Sequence, residues 1–169
     1  MLYANALIAE IRLLCAVDSV DVALRLLPDT KRAAKRSGSQ LMQAKASMVE
    51  ADLATHLGRF DDASEKYAQL ITICSKSEYY DLCIMAENQM GYIWRERGQS
   101  EQSMKAFLRA VEFERQSDYP ELKAMSLNYL GSYYWRNGQY NQALNYYLQA
   151  LSIRNQCGNN FDIVNSLSL

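Results

Sequence analysis

With 169 residues the chain has room for one domain of ordinary size, and for a core that needs no metal or disulfide. Eighteen Lys and Arg against nineteen Asp and Glu leave a net charge of −1, so there is no general attraction to nucleic acid or anionic lipid. No apolar run approaches the ~18 residues that span a bilayer, and the opening stretch Met1 to Arg12 contains Glu10 and lacks the basic start of a signal peptide.

The chain repeats itself with a fixed period, the spacing from Gly58 to Gly98 and again from Gly98 to Gly138. The first copy is degenerate: Asp18 stands at the anchor, with Ile11, Leu14, Val20, Ala23 and Leu27 in the matching columns. The second carries Ala51, Ala54, Gly58, Phe60, Ala63 and Tyr67. In the third, the same columns hold Gly91, Trp94, Gly98, Ser100, Ser103 and Phe107. The fourth is the clearest, with Gly131, Tyr134, Gly138, Tyr140, Ala143 and Tyr147. A fifth copy begins at the C-terminal end, near Val164 to Leu169. Repeats of about 4–43, 44–83, 84–123 and 124–163, then 164–169, are expected to form a single array over residues 1–169.

Each copy predicts a pair of antiparallel helices. In the fourth, the first helix is expected from about Glu121 to Asn137, where Leu127, Leu130, Gly131 and Tyr134 make one apolar stripe. Pro120 suits the first helical turn, and Gly138 suits a left-handed stop. The second helix is expected from about Asn141 to Arg154, with Ala143, Tyr147, Ala150 and Leu151 facing the first. Gly131 and Ala143 are small enough for close approach, with Tyr134 and Tyr147 filling the space beside the crossing. One pair cannot bury its own face; stacked neighbours can.

The run Leu130-Gly131-Ser132-Tyr133-Tyr134, then Gly138-Gln139-Tyr140, Ala143, Tyr147 and Ala150, resembles the tetratricopeptide repeat signature, and the second and third copies are similar. The resemblance implies an all-α fold, a right-handed α-superhelix of antiparallel helix pairs. The usual period of that family is about 34 residues, shorter than the spacing here. The longer, 40-residue form resembles repeats of kinesin light chains, spindle-orientation adaptors and bacterial signalling proteins. Asn145 to Arg154 and Gly158-Asn159-Asn160 look most like the bacterial versions, which often precede a diguanylate cyclase, kinase or transcription-factor output. The implied function is a non-catalytic, cytoplasmic protein- or peptide-binding scaffold, the regulatory or sensory region of a larger signalling protein, without cofactor.

In that architecture the first helices line a concave groove. Off the core stripe lie Met85, Asn88, Gln89, Tyr92, Arg95 and Glu96 in the third repeat, and Met125, Asn128, Tyr129, Ser132, Trp135 and Arg136 in the fourth. Asn88 and Asn128 share a column, and an Asn amide can bond both the N–H and the C=O of an extended peptide. Tyr92, Tyr129 and Trp135 offer rigid apolar area, and Arg95 and Arg136 can pair with a carboxylate. The competing reading is a solvated helix face. The corresponding residues of the first two repeats are more mixed: Asn5, Ile8, Arg12, Cys15, Lys45, Met48, Asp52, Thr55 and His56.

Other features have structural explanations. Cys15, Cys74, Cys83 and Cys157 show no CxxC spacing, and unpaired thiols on helices fit a reducing compartment. His56 is the one histidine and has no companions at metal-ligand spacing. Lys31, Arg32, Lys35 and Arg36 suit a helix C-terminus, while Asp61, Asp62 and Glu65 suit a helix start. Self-association is the alternative to partner binding. A C-terminal face containing Tyr146, Leu148 and Ile153 needs a cover, which a homodimer or downstream sequence could supply.

Overall fold

The sparse prolines and the helical spacing of apolar residues produce helices throughout. The computed structural model describes residues 2–17, 19–117 and 119–157, and among these it contains eight α-helices and no strand. They are α1 (Leu2–Ala16), α2 (Val20–Arg36), α3 (Gln40–His56), α4 (Phe60–Lys76), α5 (Tyr80–Glu96), α6 (Ser100–Glu114), α7 (Pro120–Arg136) and α8 (Tyr140–Gln156). Helices α2, α4, α6 and α8 begin at residues 20, 60, 100 and 140, and α3, α5 and α7 at 40, 80 and 120. The period of the sequence is thus the period of the helix pairs. Val164 to Leu169, read as the start of a fifth copy, lie outside the described residues, as does Asp18.

The chain forms two compact units, Met1–Leu82 and Cys83–Leu169. In the first, Ile8, Ile11, Ala23, Val49 and Leu53 make one core cluster, and Ala4, Ala34, Met42 and Ala46 another. In the second, Ala124, Leu127 and Ala150 are buried between α7 and α8 with Tyr146 and Ile153 packed around them. Cys15 and Cys157 are free thiols. Cys74 and Cys83, both fully buried, are in the disulfide form, so the reading of all four cysteines as unpaired is corrected for these two. Among the described residues no helix is long and apolar enough to cross a membrane.

In the second unit each helix pair is closed by a ring set on a small residue. A Cβ at Gly91 would stand 2.3 to 2.8 Å from three ring carbons of Phe107, and one at Gly131 would stand 2.7 to 3.0 Å from those of Tyr147. The aromatic of the second helix therefore lies directly on the backbone of the first. Ser103 Oγ adds a hydrogen bond to the Gly91 carbonyl, 2.8 Å long. In the first unit Ala51 takes the glycine column and Tyr67 the ring column, both fully buried. Tyr67 there donates its hydroxyl to Asp52 Oδ1 at 2.7 Å.

Helix ends follow the expected chemistry. Pro120 opens α7, Asp61 and Asp62 occupy the first turn of α4, and His56 closes α3. Gly58, Gly98 and Gly138 have φ of 69°, 71° and 74°, the left-handed stop after each first helix. The connection after a second helix uses the same device at different residues. Gly38 has φ 68°, but its counterpart one period later is Glu78 at φ 58°. A side chain there is strained by roughly 1–2 kcal/mol.

Two stability changes follow. Gly131→Ala should cost about 1–3 kcal/mol, because the Tyr147 ring has to leave its seat; urea unfolding measures it, and a change under about 0.5 kcal/mol would contradict the packing. Glu78→Gly should raise stability by about 0.5–1 kcal/mol by relieving the left-handed strain; a loss on thermal melting would show that the Glu78 side chain stabilises more than its backbone costs.

Candidate partner-binding face

The residues expected to line a groove are carried on α5 and α7 of the second unit, and the structure sorts them into three groups. Tyr92, Arg95, Ser132 and Arg136 come together as one polar set. The Arg95 guanidinium lies 5.0 Å from the centre of the Tyr92 ring, and its Nη1 donates to Ser132 Oγ at 3.2 Å. Glu96 Oε1 accepts from Arg95 Nε and Nη2 at 3.3 and 3.2 Å, and from Arg136 Nη1 at 3.3 Å. One carboxylate thus holds two guanidinium groups, one from each first helix, and the set keeps one positive charge in excess. Tyr147 stands behind it; burial raises its phenol above the usual range, against the pull of Ser132 and Arg95.

A cavity of about 260 Å³ opens beside this set, lined by Arg95, Gly98, Ser100, Tyr133, Arg136 and Asn137. Ser100 Oγ donates to Tyr133 Oη at 3.1 Å across it. Sequence reasoning points to Arg95 and Arg136 but misses Ser100, Tyr133 and Asn137. The signal is present: all three lie close in sequence to the repeat glycines Gly98 and Gly138, where the ends of α5 and α7 meet the start of α6.

The second group is turned elsewhere or only partly open. Trp135 is 44% exposed and meets the edge of the Tyr140 ring at 4.8 Å, so it faces the start of α8. Met85 and Met125 are half-buried. The third group is structural. Tyr129 stacks on Phe107, centroids 5.4 Å apart and planes 12° apart, joining α7 to α6. Asn128, with its amide oxygen toward α8, accepts from Arg154 Nη2 and Nη1 at 2.8 and 2.9 Å.

Asn88 is the clear correction. Its column suggests a groove amide free to grip a peptide backbone, yet it is 1% exposed, and its Nδ2 donates to Ser126 Oγ of α7 at 2.9 Å. The reason is the column it occupies. Ile8 and Met48, the same column in the first unit, are likewise buried, not on an open face. In the second unit Asn88 is enclosed against the next first helix, where its amide is committed to Ser126 and is not available to a ligand. In the first unit Asp52 is also half-enclosed: burial raises its carboxyl above the usual range despite Tyr67, Arg12 and His56. Among the described residues no group of three His, Cys, Asp or Glu could hold a metal.

Residues 81–156 match the family model for the tetratricopeptide repeat. The fold extends over nearly the whole chain. The Rap conjugation gene regulator of plasmid pLS20, solved with the Phr* peptide, superposes with a TM-score of 0.81 at 18% identity, over 92% of this chain and 43% of that one. A signal transduction ATPase with a tetratricopeptide repeat sensor, from Pyrococcus horikoshii, gives 0.72 at 13% identity, over 96% and 25%. The kinesin light chain nearly identical TPR-like repeats of Podosopora anserina give 0.65 at 16%, over 90% and 75%. At these identities the likeness is one of fold. The chain spans less than half of the first two proteins. No curated protein matches it in sequence.

The burial difference between the two asparagines is measurable. Asn88→Ala should cost about 1–2 kcal/mol, since it removes the donor that the buried Ser126 Oγ accepts and leaves a gap in its place, whereas Asn128→Ala should cost clearly less. Equal losses on chemical denaturation would contradict the assignment of Asn88 to the interior.

Proposed function

We propose that this chain is a non-catalytic tetratricopeptide module that holds a protein segment or peptide against the α5–α7 face of its second unit. The observation that carries the reading is the Arg95–Glu96–Arg136 arrangement beside the 260 Å³ cavity. Two guanidinium groups share one carboxylate there. An acidic side chain or a C-terminal carboxylate on a partner would find a pre-positioned cation, with the Tyr92 and Tyr133 rings next to it. The fold likeness to a regulator solved with a peptide, and to a protein with a repeat sensor, supports a regulatory or sensory role within a larger signalling protein.

One observation favours a second reading. Tyr140, Leu144 and Leu148 are 58%, 56% and 54% exposed and recur at every fourth position of α8, making an apolar stripe. Self-association through this stripe would make the array a dimerisation module.

The test is a peptide array with acidic and free-carboxylate members, probed with the native chain and with an Arg136→Ala variant. Arg136 is exposed, so the variant should fold with unchanged helicity. Loss of about tenfold or more in binding is expected, the size of a typical anchor residue. Equal binding by the two proteins would contradict this face, and retention lost only on Leu144→Asp would favour the α8 stripe.

A further inference from the structure

The second unit contains a buried polar cluster that the binding face does not use. Glu114, the last residue of α6, is 8% exposed, and Asn88 of α5 and Ser126 of α7 are 1% and 0%. Ser126 Oγ accepts from Asn88 Nδ2 at 2.9 Å and gives its own hydrogen to the Leu122 carbonyl at 3.2 Å. With the Ser126 hydrogen so committed, neither carboxyl oxygen of Glu114 holds a hydrogen bond, and neither does Asn88 Oδ1. Three acceptor oxygens are therefore enclosed without a donor. An ionised carboxylate in that condition is costly, and a carboxylic acid is far less so, because it brings one O–H to a place short of hydrogens.

The surrounding groups do not rescue the ionised form. Lys123 of α7, and the Ser126 hydroxyl were its hydrogen turned from the Leu122 carbonyl to the carboxyl, favour the Glu114 charge, but burial outweighs both. On α5, Asn88, which shares Ser126 with Glu114, is neutral, and the neighbouring Glu87 is taken by Arg109, whose Nε and Nη2 donate at 2.7 and 2.8 Å. On α6 and just beyond it, Glu112 and Arg115 pair with each other.

We propose that the meeting point of α5, α6 and α7 is a proton-linked joint, in which Glu114 is carried as the neutral acid, its hydrogen serves the Asn88–Ser126 cluster, and its ionisation loosens the packing of α6 against α7. Burial pushes the Glu114 carboxyl up to about 7, from an ordinary 4.5. The folded value is raised, so the joint is at full strength below the unfolded value. Between 4.5 and 7 the unfolded chain gives up its proton while the folded chain keeps it, and stability falls as pH rises. Above the folded value the loss is complete. The joint thus weakens as pH rises through the mildly acidic range to neutrality, and it lies more than a helical turn away from the Arg95–Arg136 set on the same helices.

The experiment follows thermal melting from about pH 5.5 to about pH 8.5 for the native chain and for Glu114→Gln, which keeps shape, neutrality and a donor at every pH. The native midpoint should drop with rising pH by roughly 4 °C or more beyond the drop of the variant. Equal drops would overturn the proposal. Carbon NMR of the Glu114 carboxyl in the native chain reads the same group without any substitution. A titration midpoint near 7 is expected, and one near 4.5 overturns the proposal even if the Gln variant fails to fold.

Discussion

The contact on which the second unit rests is an aromatic ring seated on a backbone. Phe107 covers Gly91, and Tyr147 covers Gly131, so closely that a single methyl group at either glycine would overlap the ring. Close approach of this kind fixes how far apart the two helices of a pair lie. It also fixes their rotation, because the ring meets its glycine at one register only. Once the pair is set, the remaining side chains of its first helix divide by the neighbour each meets. Asn88 meets Ser126 of the next first helix, Tyr129 and Asn128 meet second helices, and Arg95 and Arg136 stay on the open face.

That division explains what the sequence could and could not tell. The period, the helix limits and the glycine stops were legible, because each is imposed locally and recurs with one spacing in both sequence and structure. The helices expected at about 121–137 and 141–154 are observed as Pro120–Arg136 and Tyr140–Gln156. Asn88 and Asn128 were not separable by pattern, since both occupy one column. Their surroundings differ: Asn88 has Ser126 on the following first helix, while Asn128 meets the Arg154 guanidinium of its own pair. Burial of that column could have been read from Ile8 and Met48, which stand in it and are apolar. Glu78 escaped notice because its glycine-like backbone is seen only beside Gly38.

The candidate face was legible in part for a related reason. Arginines near the ends of α5 and α7 are visible in the sequence, but the carboxylate joining them is visible only in three dimensions. Glu96 follows Arg95 in the chain and precedes Arg136 by a full repeat, so the link is a consequence of stacking. The aromatic residues divided in the same way. Tyr129 packs against Phe107 and Trp135 turns toward Tyr140, leaving Tyr92 and Tyr133 beside the arginines. Exposure in a repeat array follows from which neighbour each column meets, and residue type alone does not report it.

The proposed recognition of a partner is centred on the ends of α5 and α7, not on the outer stripe of α8. Amide hydrogen exchange with a bound acidic peptide tests this most directly. It should slow exchange around Tyr92 to Glu96 and Ser132 to Arg136, and leave Tyr140 to Leu148 unchanged. Protection confined to Tyr140–Leu148, with α5 and α7 unaffected, would contradict it.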